Sequence, residues 1–206
     1  HLIHALVSTE DQRFYQHEGV DSRSYIRVFL RTILGGDQSG GGGSTLSQQL
    51  VKNLYGREKH GLLTLPVNKI KEALVAARLE QVYDKNDVLT LYLNSVPFGE
   101  DLYGVEAAAR RYFNKPAQRL KVEEAAVLVG MLKANTSYNP RLNPERSRER
   151  RNLVLRLMAT RGHLTAAEVD SLQLLPLTID YRGRDALDLY GYFTERVGRE
   201  ARKILA

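Results

Sequence analysis

Residues 122–134 constrain the fold most strongly, because they predict a helix that has no polar face. Every position from 125 to 132 is apolar or glycine. A helix that is apolar all round is stable in water only when other parts of the chain surround it. We therefore expect this helix at the centre of the protein, with the charge of Lys133 at its end.

Helical periodicity also dominates the rest of the chain, so the expected fold class is mostly α, with little strand. Amphipathic helices are predicted at residues 2–9, 25–34, 45–54, 68–83, 105–112, 145–160 and 187–205. Two shorter helices are predicted, one from a cap at Asn86 or Asp87 to Asn94 and one from a cap at Thr165 to Gln173. Residues 175–181 are expected to be extended.

The charge balance indicates an anionic partner. The 206 residues carry a formal net charge of +6 and an isoelectric point near 9.5. Such a balance fits nucleic acid, an anionic membrane surface or a phosphorylated substrate. The chain has no cysteine, so nothing indicates a disulfide framework or a thiolate metal site. No apolar run reaches the roughly 20 residues needed to span a bilayer, and any membrane anchor is expected outside this sequence.

Two glutamates lie at positions where helical periodicity predicts core side chains. Glu10 is seven residues after Ile3, on the face that also carries Leu6. Glu72 shares a face with Ala76 and with further apolar positions one and two turns later. Desolvation raises the pKa of a carboxyl group toward the range in which it acts as a base or an acid. The alternative for Glu10 is an ion pair with Arg13 or Arg23 at the end of the helix.

The glycine-rich turn that ends at Gly43 leads into a helix and predicts an anion site. Free backbone N–H groups and the positive end of the helix dipole favour negative charge there. Thr45 and Gln48 have the spacing of a capping box. Polar side chains that could add donors are Ser44, Thr45, Gln48, Gln49 and Lys52. The alternative is a flexible linker followed by an ordinary cap.

Three further features have a structural and a functional interpretation. Residues 57–67 are apolar without periodicity and are flanked by basic residues, which predicts either a loop packed on the core or a surface that touches lipid. His17 has no second histidine at metal-site spacing, and we interpret it as a structural hydrogen-bonding residue. Lys133 and the basic residues between 146 and 151 could contact phosphates, although a solvated helix face is the simpler interpretation of the latter.

Two carboxylates on apolar faces and an anion-binding helix start together indicate glycosyl chemistry. The motifs that carry these residues resemble those of the peptidoglycan glycosyltransferase domain of class A penicillin-binding proteins, glycosyltransferase family 51. The similar motifs are Glu10-Asp11-x-x-Phe14-x-x-His17-x-Gly19, residues 42–53, Lys69-Ile70-Lys71-Glu72 with Leu79-Glu80, Leu89-x-x-Tyr92-Leu93-Asn94-x-x-x-Phe98-Gly99, and residues 124–134. The resemblance covers roughly residues 5–158.

The resemblance implies a lysozyme-like large lobe and a smaller membrane-proximal lobe. The glycosyltransferase domain would comprise residues 1–180, with the small lobe at about 35–67. Residues 181–206 would form a helical linker toward a transpeptidase domain that this sequence does not contain. In this family the region of residues 57–67 lies in the membrane, so the lipid interpretation of that segment becomes the favoured one.

The resemblance also implies a reaction. The protein would polymerise lipid II into β-1,4 glycan strands. Glu10 would deprotonate the GlcNAc 4-hydroxyl of the acceptor, which attacks the MurNAc anomeric carbon of a polyprenyl-pyrophosphate donor with inversion. Glu72 would assist at the pyrophosphate, directly or through a divalent metal such as Mg2+, although no cofactor is expected to be required.

The remaining site residues follow from the same resemblance. Residues implied in substrate and pyrophosphate binding are Ser44, Thr45, Gln48, Gln49, Lys52, Asn53, Lys71 and Lys133. Residues implied in structural support are Asp11, Phe14, His17, Gly19 and Asn94. The expected partners are lipid II, the growing glycan, the membrane surface and moenomycin-type inhibitors, with no nucleic acid. The expected location is the extracytoplasmic face of the bacterial cytoplasmic membrane, with the anchor outside this sequence.

One position departs from the family pattern. The family usually has arginine before the lysine of the third motif, and this chain has Asn68. One contact to pyrophosphate is therefore in doubt. Arg57, Lys59 or Lys71 could replace the missing cation, or the donor could bind less tightly.

Two other functions compete with the transferase. A lysozyme-like glycan-cleaving enzyme (a lytic transglycosylase) also uses a glutamate at a helix end, but it needs neither the anion site nor a lipid-facing segment. A basic module that binds membranes or nucleic acid fits the charge, but carboxylates on a phosphate-binding face argue against it.

We expect the gene to continue into a transpeptidase domain, because the predicted helix at residues 187–205 lies beyond the motifs of the catalytic core. Sequencing the gene tests this expectation. A stop codon shortly after Ala206 would contradict it.

Overall fold

The computed structural model describes residues 1–23 and 43–183. Within these ranges the chain is mostly helical, as the sequence predicts. The α-helices are α1 (Leu2–Glu10), α2 (Leu46–Tyr55), α3 (Thr64–Val82), α4 (Lys85–Ser95), α5 (Val105–Phe113), α6 (Val122–Met131), α7 (Pro144–Thr160) and α8 (Ala166–Leu174). Short 3-10 helices lie at Phe14–Gln16, Gly61–Leu63 and Ala117–Arg119. Strand-like pairing in the described residues is limited to the isolated bridges Glu18–Val20 and Pro97–Tyr103.

Helix α6 is the centre of the fold, which confirms the prediction from its sequence. All its residues from Ala125 to Met131 are buried, and it packs against α1 and α7. Each fully buried valine or leucine side chain stabilises the fold by about 1.5–3 kcal/mol. A side chain at Gly130 would meet Cγ of Arg150 at 3.0 Å, so this glycine allows α6 and α7 to approach closely. The helix ends at Met131, and Lys133 lies beyond it in a turn.

Helices α2, α3 and α4 form a second packed group, with α2 in contact with both of the others. The predicted capping box at the start of α2 is present, because Thr45 Oγ1 accepts from the Gln48 amide and Gln48 Oε1 accepts from the Thr45 amide. Helix α3 begins at Thr64, four residues earlier than the predicted start at residue 68. Pro66 does not prevent this, because the first-turn N–H groups of a helix have no partner within the helix.

The predicted cap of α4 is wrong. Asp84 caps the helix, and its Oδ1 accepts from the backbone amides of Asn86 and Asp87. Asn86 and Asp87 are therefore already in the first turn. The physical reason is that a capping side chain bonds amides two and three residues after itself, so the cap must precede its donors in the chain.

The interpretation of the basic residues at 146–151 as a solvated face is wrong for one member. Arg151 on α7 is fully buried, and its guanidinium donates to the carbonyls of Gln173 and Pro176 at 3.2 and 3.3 Å. These carbonyls lie at and just after the end of α8, where helix carbonyls lack intrahelical partners. Residues 175–183 form no helix, and the amides of Asp180 and Arg182 donate to the end of α5.

Several expectations lie outside the described residues. They are the helices at 25–34 and 187–205 and the part of the proposed small lobe at residues 35–42. The division into two lobes and a linker therefore stays a prediction. No helix in the described ranges is long and apolar enough to cross a bilayer.

Gly19 provides a test of how the segment after α1 packs on α3. Its φ is +72°, and an added Cβ would lie 2.5 Å from the Ala77 amide nitrogen. We expect Gly19→Ala to lower the free energy of unfolding by about 3 kcal/mol or more, because both strain and a backbone clash act. Urea denaturation followed by circular dichroism measures the change.

Gly162→Ala is the matched control. Gly162 has a φ of +74° but no atom within 4 Å of the added Cβ. Gly162→Ala should lower the free energy of unfolding only by the cost of a left-handed backbone at a residue with a side chain, about 1–2 kcal/mol. Equal losses at the two glycines would contradict the packing described for Gly19.

Candidate active site

Glu10 is the last residue of α1 and lies at the edge of the core rather than inside it. Leu6 and Val7 below it are buried, but Ile3 is 42% exposed and Glu10 itself is half-buried. The alternative ion pair with Arg13 does not form, because Arg13 faces Asp21 at 3.7 Å. Glu10 instead accepts a hydrogen bond from a side chain of α2.

Gln49 makes that bond and is itself held by a buried tyrosine. Gln49 Nε2 donates to Glu10 Oε2 at 3.0 Å, and the Tyr92 hydroxyl donates to Gln49 Oε1 at 3.0 Å. Burial, with the nearby charge of Glu10, raises the pKa of Tyr92, so its hydroxyl stays protonated. Among the described residues, this is the only hydrogen bond that Glu10's side chain receives, and it goes to Oε2.

Asp11 connects the end of α1 to the start of α2. Its buried Oδ2 accepts from the Leu46 amide at 3.0 Å, and His17 Nε2 lies 2.9 Å from the same oxygen. An anion therefore does lie at the start of α2, but it is part of the chain. The prediction of free amides awaiting an external anion is wrong for Leu46 and for Gln48, whose amide donates to Thr45 Oγ1.

His17 is a buried hydrogen-bonding residue, as the sequence analysis expected. Its ring packs edge-on to Phe14, and its carbonyl accepts from Lys85 Nζ at 2.6 Å. Lys85 Nζ also lies 4.4 Å above the Phe14 ring and donates to Glu80 Oε2 at 2.5 Å. Glu80 also accepts from the Ser47 hydroxyl on α2. The first and second motifs are thereby fixed to α3 and α4.

Thr45 and Gln48 are buried, and their polar atoms are used within the protein. Thr45 Oγ1 donates to the Gly19 carbonyl at 2.6 Å in addition to capping α2. Gln48 completes the capping box. This geometry favours a supporting role for both residues, and their predicted substrate contacts stay predictions.

Glu72 lies between two cationic side chains, Arg57 from the segment before α3 and Lys69 from the preceding turn of α3. Its side chain is 4% exposed, with Arg57 Nε donating to Oε1 at 2.9 Å and Lys69 Nζ donating to Oε2. Lys69 also donates to Ser44 Oγ at 2.8 Å. Burial by itself would raise the pKa of Glu72, but the bonds and charges of Arg57 and Lys69 outweigh it and lower the pKa. Glu72 is therefore ionised at neutral pH.

A divalent cation at Glu72 would compete with two cationic side chains. Each carboxylate oxygen of Glu72 already faces a cationic side chain, and a metal would have to displace them. The described ranges also contain no group of three or more histidine, cysteine or acidic residues that could hold a metal ion. Participation of Mg2+ stays a prediction.

The other predicted site residues take no part in the described contacts around Glu10 and Glu72. Lys52, Lys133 and Asn94 have exposed side chains, and Asn53 is half-buried. Lys71 Nζ pairs with the exposed carboxylate of Glu58. Their predicted roles in binding or support stay predictions.

The structure also adds residues that the sequence analysis did not place in the site. They are Lys69, Tyr92, Glu80 and Lys85. Arg57 and Asn68 also belong to the site, although the sequence drew attention to them only because position 68 departs from the family pattern. Lys69 could have been found, since it is three residues from Glu72 on the same helix. The contact of Arg57 spans 15 residues and carries no periodic signal.

Comparison with known proteins identifies the family of the chain. The family model described as Transglycosylase matches residues 1–159, and the chain belongs to this family. Penicillin-binding protein 1A of Aquifex aeolicus is 41% identical over 179 residues, which cover 87% of this chain and 24% of that protein. Penicillin-binding protein 1F of Bacillus subtilis is 36% identical over 197 residues, with 96% and 27% covered. The chain thus spans about a quarter of these relatives.

A crystal structure of penicillin-binding protein 1A from Haemophilus influenzae is also similar. It has 35% sequence identity and a TM-score of 0.45, and the match covers 57% of this chain and 17% of that chain. The family resemblance inferred from the sequence motifs is confirmed by the family model and by the relatives.

The lowered pKa of Glu72 predicts a pH-dependent contribution to stability. At pH 7 we expect Glu72→Gln to lower the free energy of unfolding by about 1–3 kcal/mol, because two charged hydrogen bonds are lost. A carboxyl group with a lowered folded pKa stabilises above its ordinary value of 4.5, and that stability is lost as the pH falls through the folded pKa. The difference between variant and wild type should therefore shrink at acidic pH.

Urea denaturation at a series of pH values from about 3, below the ordinary carboxyl pKa, to about 7 measures this difference. Glu18→Gln changes an exposed glutamate and is the control. A Glu72→Gln difference that is constant across the series would show that the ionised pair does not provide the stability.

Proposed function

We propose that the chain is a peptidoglycan glycosyltransferase that polymerises lipid II into β-1,4-linked glycan. One observation carries the proposal. Gln49 of α2 contacts a half-buried carboxylate, Glu10, while Ser44, just before α2, contacts Lys69 of a cationic cluster that surrounds Glu72. Membership of the Transglycosylase family supports the same chemistry.

Glu10 acts as the general base. Its Oε1 accepts the proton of the acceptor's 4-hydroxyl, and the hydroxyl oxygen forms a bond to the donor's anomeric carbon. The bond from that carbon to the pyrophosphate oxygen breaks, and its electron pair leaves with the pyrophosphate. A single displacement of this kind inverts the anomeric configuration. Gln49 orients the carboxylate, since its amide holds the other oxygen.

The cationic cluster stabilises the leaving group. Lys69 and Arg57 side chains are about one third exposed, at 35% and 36%, so they can reach a ligand while Glu72 holds them in place. Ser44 adds a hydroxyl next to Lys69. Positive side chains preorganised where negative charge develops are a large source of rate enhancement.

The cluster also separates this proposal from the glycan-cleaving alternative. Cleavage of a glycosidic bond releases a sugar hydroxyl, which needs a proton from a protonated carboxyl group. Once protonated, that hydroxyl leaves without charge, so cleavage has no need of a cationic cluster like the one around Glu72. A polyprenyl-pyrophosphate leaving group needs positive charge instead, and this site supplies it.

The exposed side of α3 supports contact with a membrane surface. Leu63, Ile70 and Leu74 are each more than 60% exposed, and they recur at helical spacing together with Val67. Basic residues, including Lys59, precede α3 in the chain and so lie near its N-terminal end. We propose that this apolar face enters the lipid interface, which would bring a lipid-linked substrate to the cluster around Glu72.

Further properties of the whole protein belong to the same proposal. We propose an extracytoplasmic location at the bacterial cytoplasmic membrane, a transpeptidase domain in the full-length protein, and sensitivity to moenomycin-type inhibitors. The support is the similarity to penicillin-binding proteins, of which this chain spans about a quarter.

The role of Glu10 is tested by polymerisation of lipid II in detergent. We expect long glycan from the wild type and a loss of about 10²–10⁴-fold in rate for Glu10→Gln, as for removal of a general base. Glycan length is measured by gel electrophoresis, and isolated glycan strands are supplied in parallel to detect cleavage.

Glu18→Gln is the matched control, because Glu18 is exposed in the same stretch. It should polymerise as the wild type does. Cleavage of glycan strands without polymerisation would favour the alternative enzyme, and polymerisation that survives Glu10→Gln would reject the assigned base.

The lipid-contact proposal predicts weaker binding to vesicles when the apolar face of α3 becomes polar. We expect the triple variant Leu63→Gln, Ile70→Gln and Leu74→Gln to bind vesicles that contain phosphatidylglycerol at least about 10-fold less tightly, since apolar burial is lost. Sedimentation with vesicles measures the binding. Leu174→Gln is the control, because Leu174 is 82% exposed on α8. Equal binding by the triple variant and the control would contradict a lipid contact at α3.

A further inference from the structure

Asn68 is fully buried and holds the segment before α3 through its side-chain amide. Its Oδ1 accepts from the Glu58 amide at 3.1 Å, and its Nδ2 donates to the Glu58 carbonyl at 2.8 Å. Nδ2 also donates to the Thr64 carbonyl at 2.6 Å. The side chain thus bonds both polar groups of one backbone residue, as a neighbouring strand would.

This attachment is next to the cation that faces Glu72. Arg57 immediately precedes Glu58, and Glu72 is one helical turn after Asn68 on the same face of α3. Residues 56–60 are exposed, so the core does not fix their position. Asn68 supplies the fixed point, with a further ion pair between Glu58 and Lys71 at the surface.

We propose that Asn68 is a positioning residue that fixes Arg57 as a pyrophosphate-binding cation. The inference deepens the proposed function and rests on it. A guanidinium reaches the cluster around Glu72 from position 57, and the bonds of Asn68 hold the neighbouring residue Glu58. Asn68 carries no charge, but it determines where that charge lies.

Arg57 has the chemistry to bind a diphosphate while it remains paired with Glu72. Among the described residues, its guanidinium makes one hydrogen bond, through Nε. The terminal nitrogens form a planar fork that matches two phosphate oxygens, and the side chain is 36% exposed. The two other candidates are less suitable, because Lys71 is neutralised by Glu58 and Lys59 is exposed without a described contact to Glu72.

Binding of farnesyl pyrophosphate in detergent, measured by calorimetry, tests the inference without turnover. We expect Arg57→Ala to weaken binding by about 10- to 100-fold, the effect of losing charged hydrogen bonds. Asn68→Ala should weaken it in the same direction, and the double variant should bind no more weakly than Arg57→Ala alone. Farnesyl monophosphate should be affected less, since it lacks the second phosphate.

Arg78→Ala is the matched control, because it removes an exposed arginine from α3, the helix that carries Asn68 and Glu72. It should bind as the wild type does. Wild-type affinity in Arg57→Ala would overturn the inference, and so would losses that multiply in the double variant. If Asn68 only stabilised the fold, Asn68→Ala would lower the melting temperature and leave the affinity for pyrophosphate unchanged.

Hydrogen exchange of the wild type gives a test that needs no variant. The Glu58 amide should be protected by Asn68 Oδ1, although the residue is exposed. Rapid exchange at that amide would overturn the attachment. A chain that binds the diphosphate through Arg57 but does not polymerise lipid II would reject the proposed function alone. Polymerisation that is insensitive to both substitutions would reject this inference alone.

Discussion

The hydrogen bond from the Leu46 amide to the buried Asp11 carboxylate is the interaction on which the site depends. It joins the end of α1 to the start of α2 across 35 residues of chain. Negative charge is favoured at this position by the free amides and the dipole of the helix. Because the bond fixes the two helix ends together, Glu10 comes within reach of Gln49, and Ser44 faces Lys69 of α3.

The two central carboxylates differ because their surroundings differ. Glu10 is half-buried and accepts a neutral hydrogen bond from Gln49, whose amide oxygen accepts from the Tyr92 hydroxyl. Glu72 is buried and faces two cations, which keep it ionised. One carboxylate therefore has a neutral hydrogen-bonding partner, and the other holds two positive charges. This division suits a reaction in which an alcohol attacks a carbon that carries a diphosphate.

Helix α3 links this chemistry to the surface of the protein. Its inner face carries Asn68, Glu72 and Ala76, which are buried. Its outer face carries Ile70 and Leu74, which are exposed apolar residues. Exposing these apolar side chains to water is unfavourable, and burying them in a lipid interface would remove that cost. The same helix thus carries the buried polar cluster on one face and exposed apolar residues on the other.

The sequence by itself determined the features that depend on local spacing. The central position of α6 follows from a segment without a polar face, and the capping box of α2 and the burial of Glu72 follow from contacts three and four residues apart. The prediction of the α4 cap was wrong by two or three residues, because several neighbouring side chains there have the capping chemistry. Only the tertiary structure decided that Asp11 occupies the start of α2, that Arg151 is buried, and that Arg57 pairs with Glu72. These contacts join distant segments, and their geometry depends on how the helices pack rather than on any periodicity within one of them.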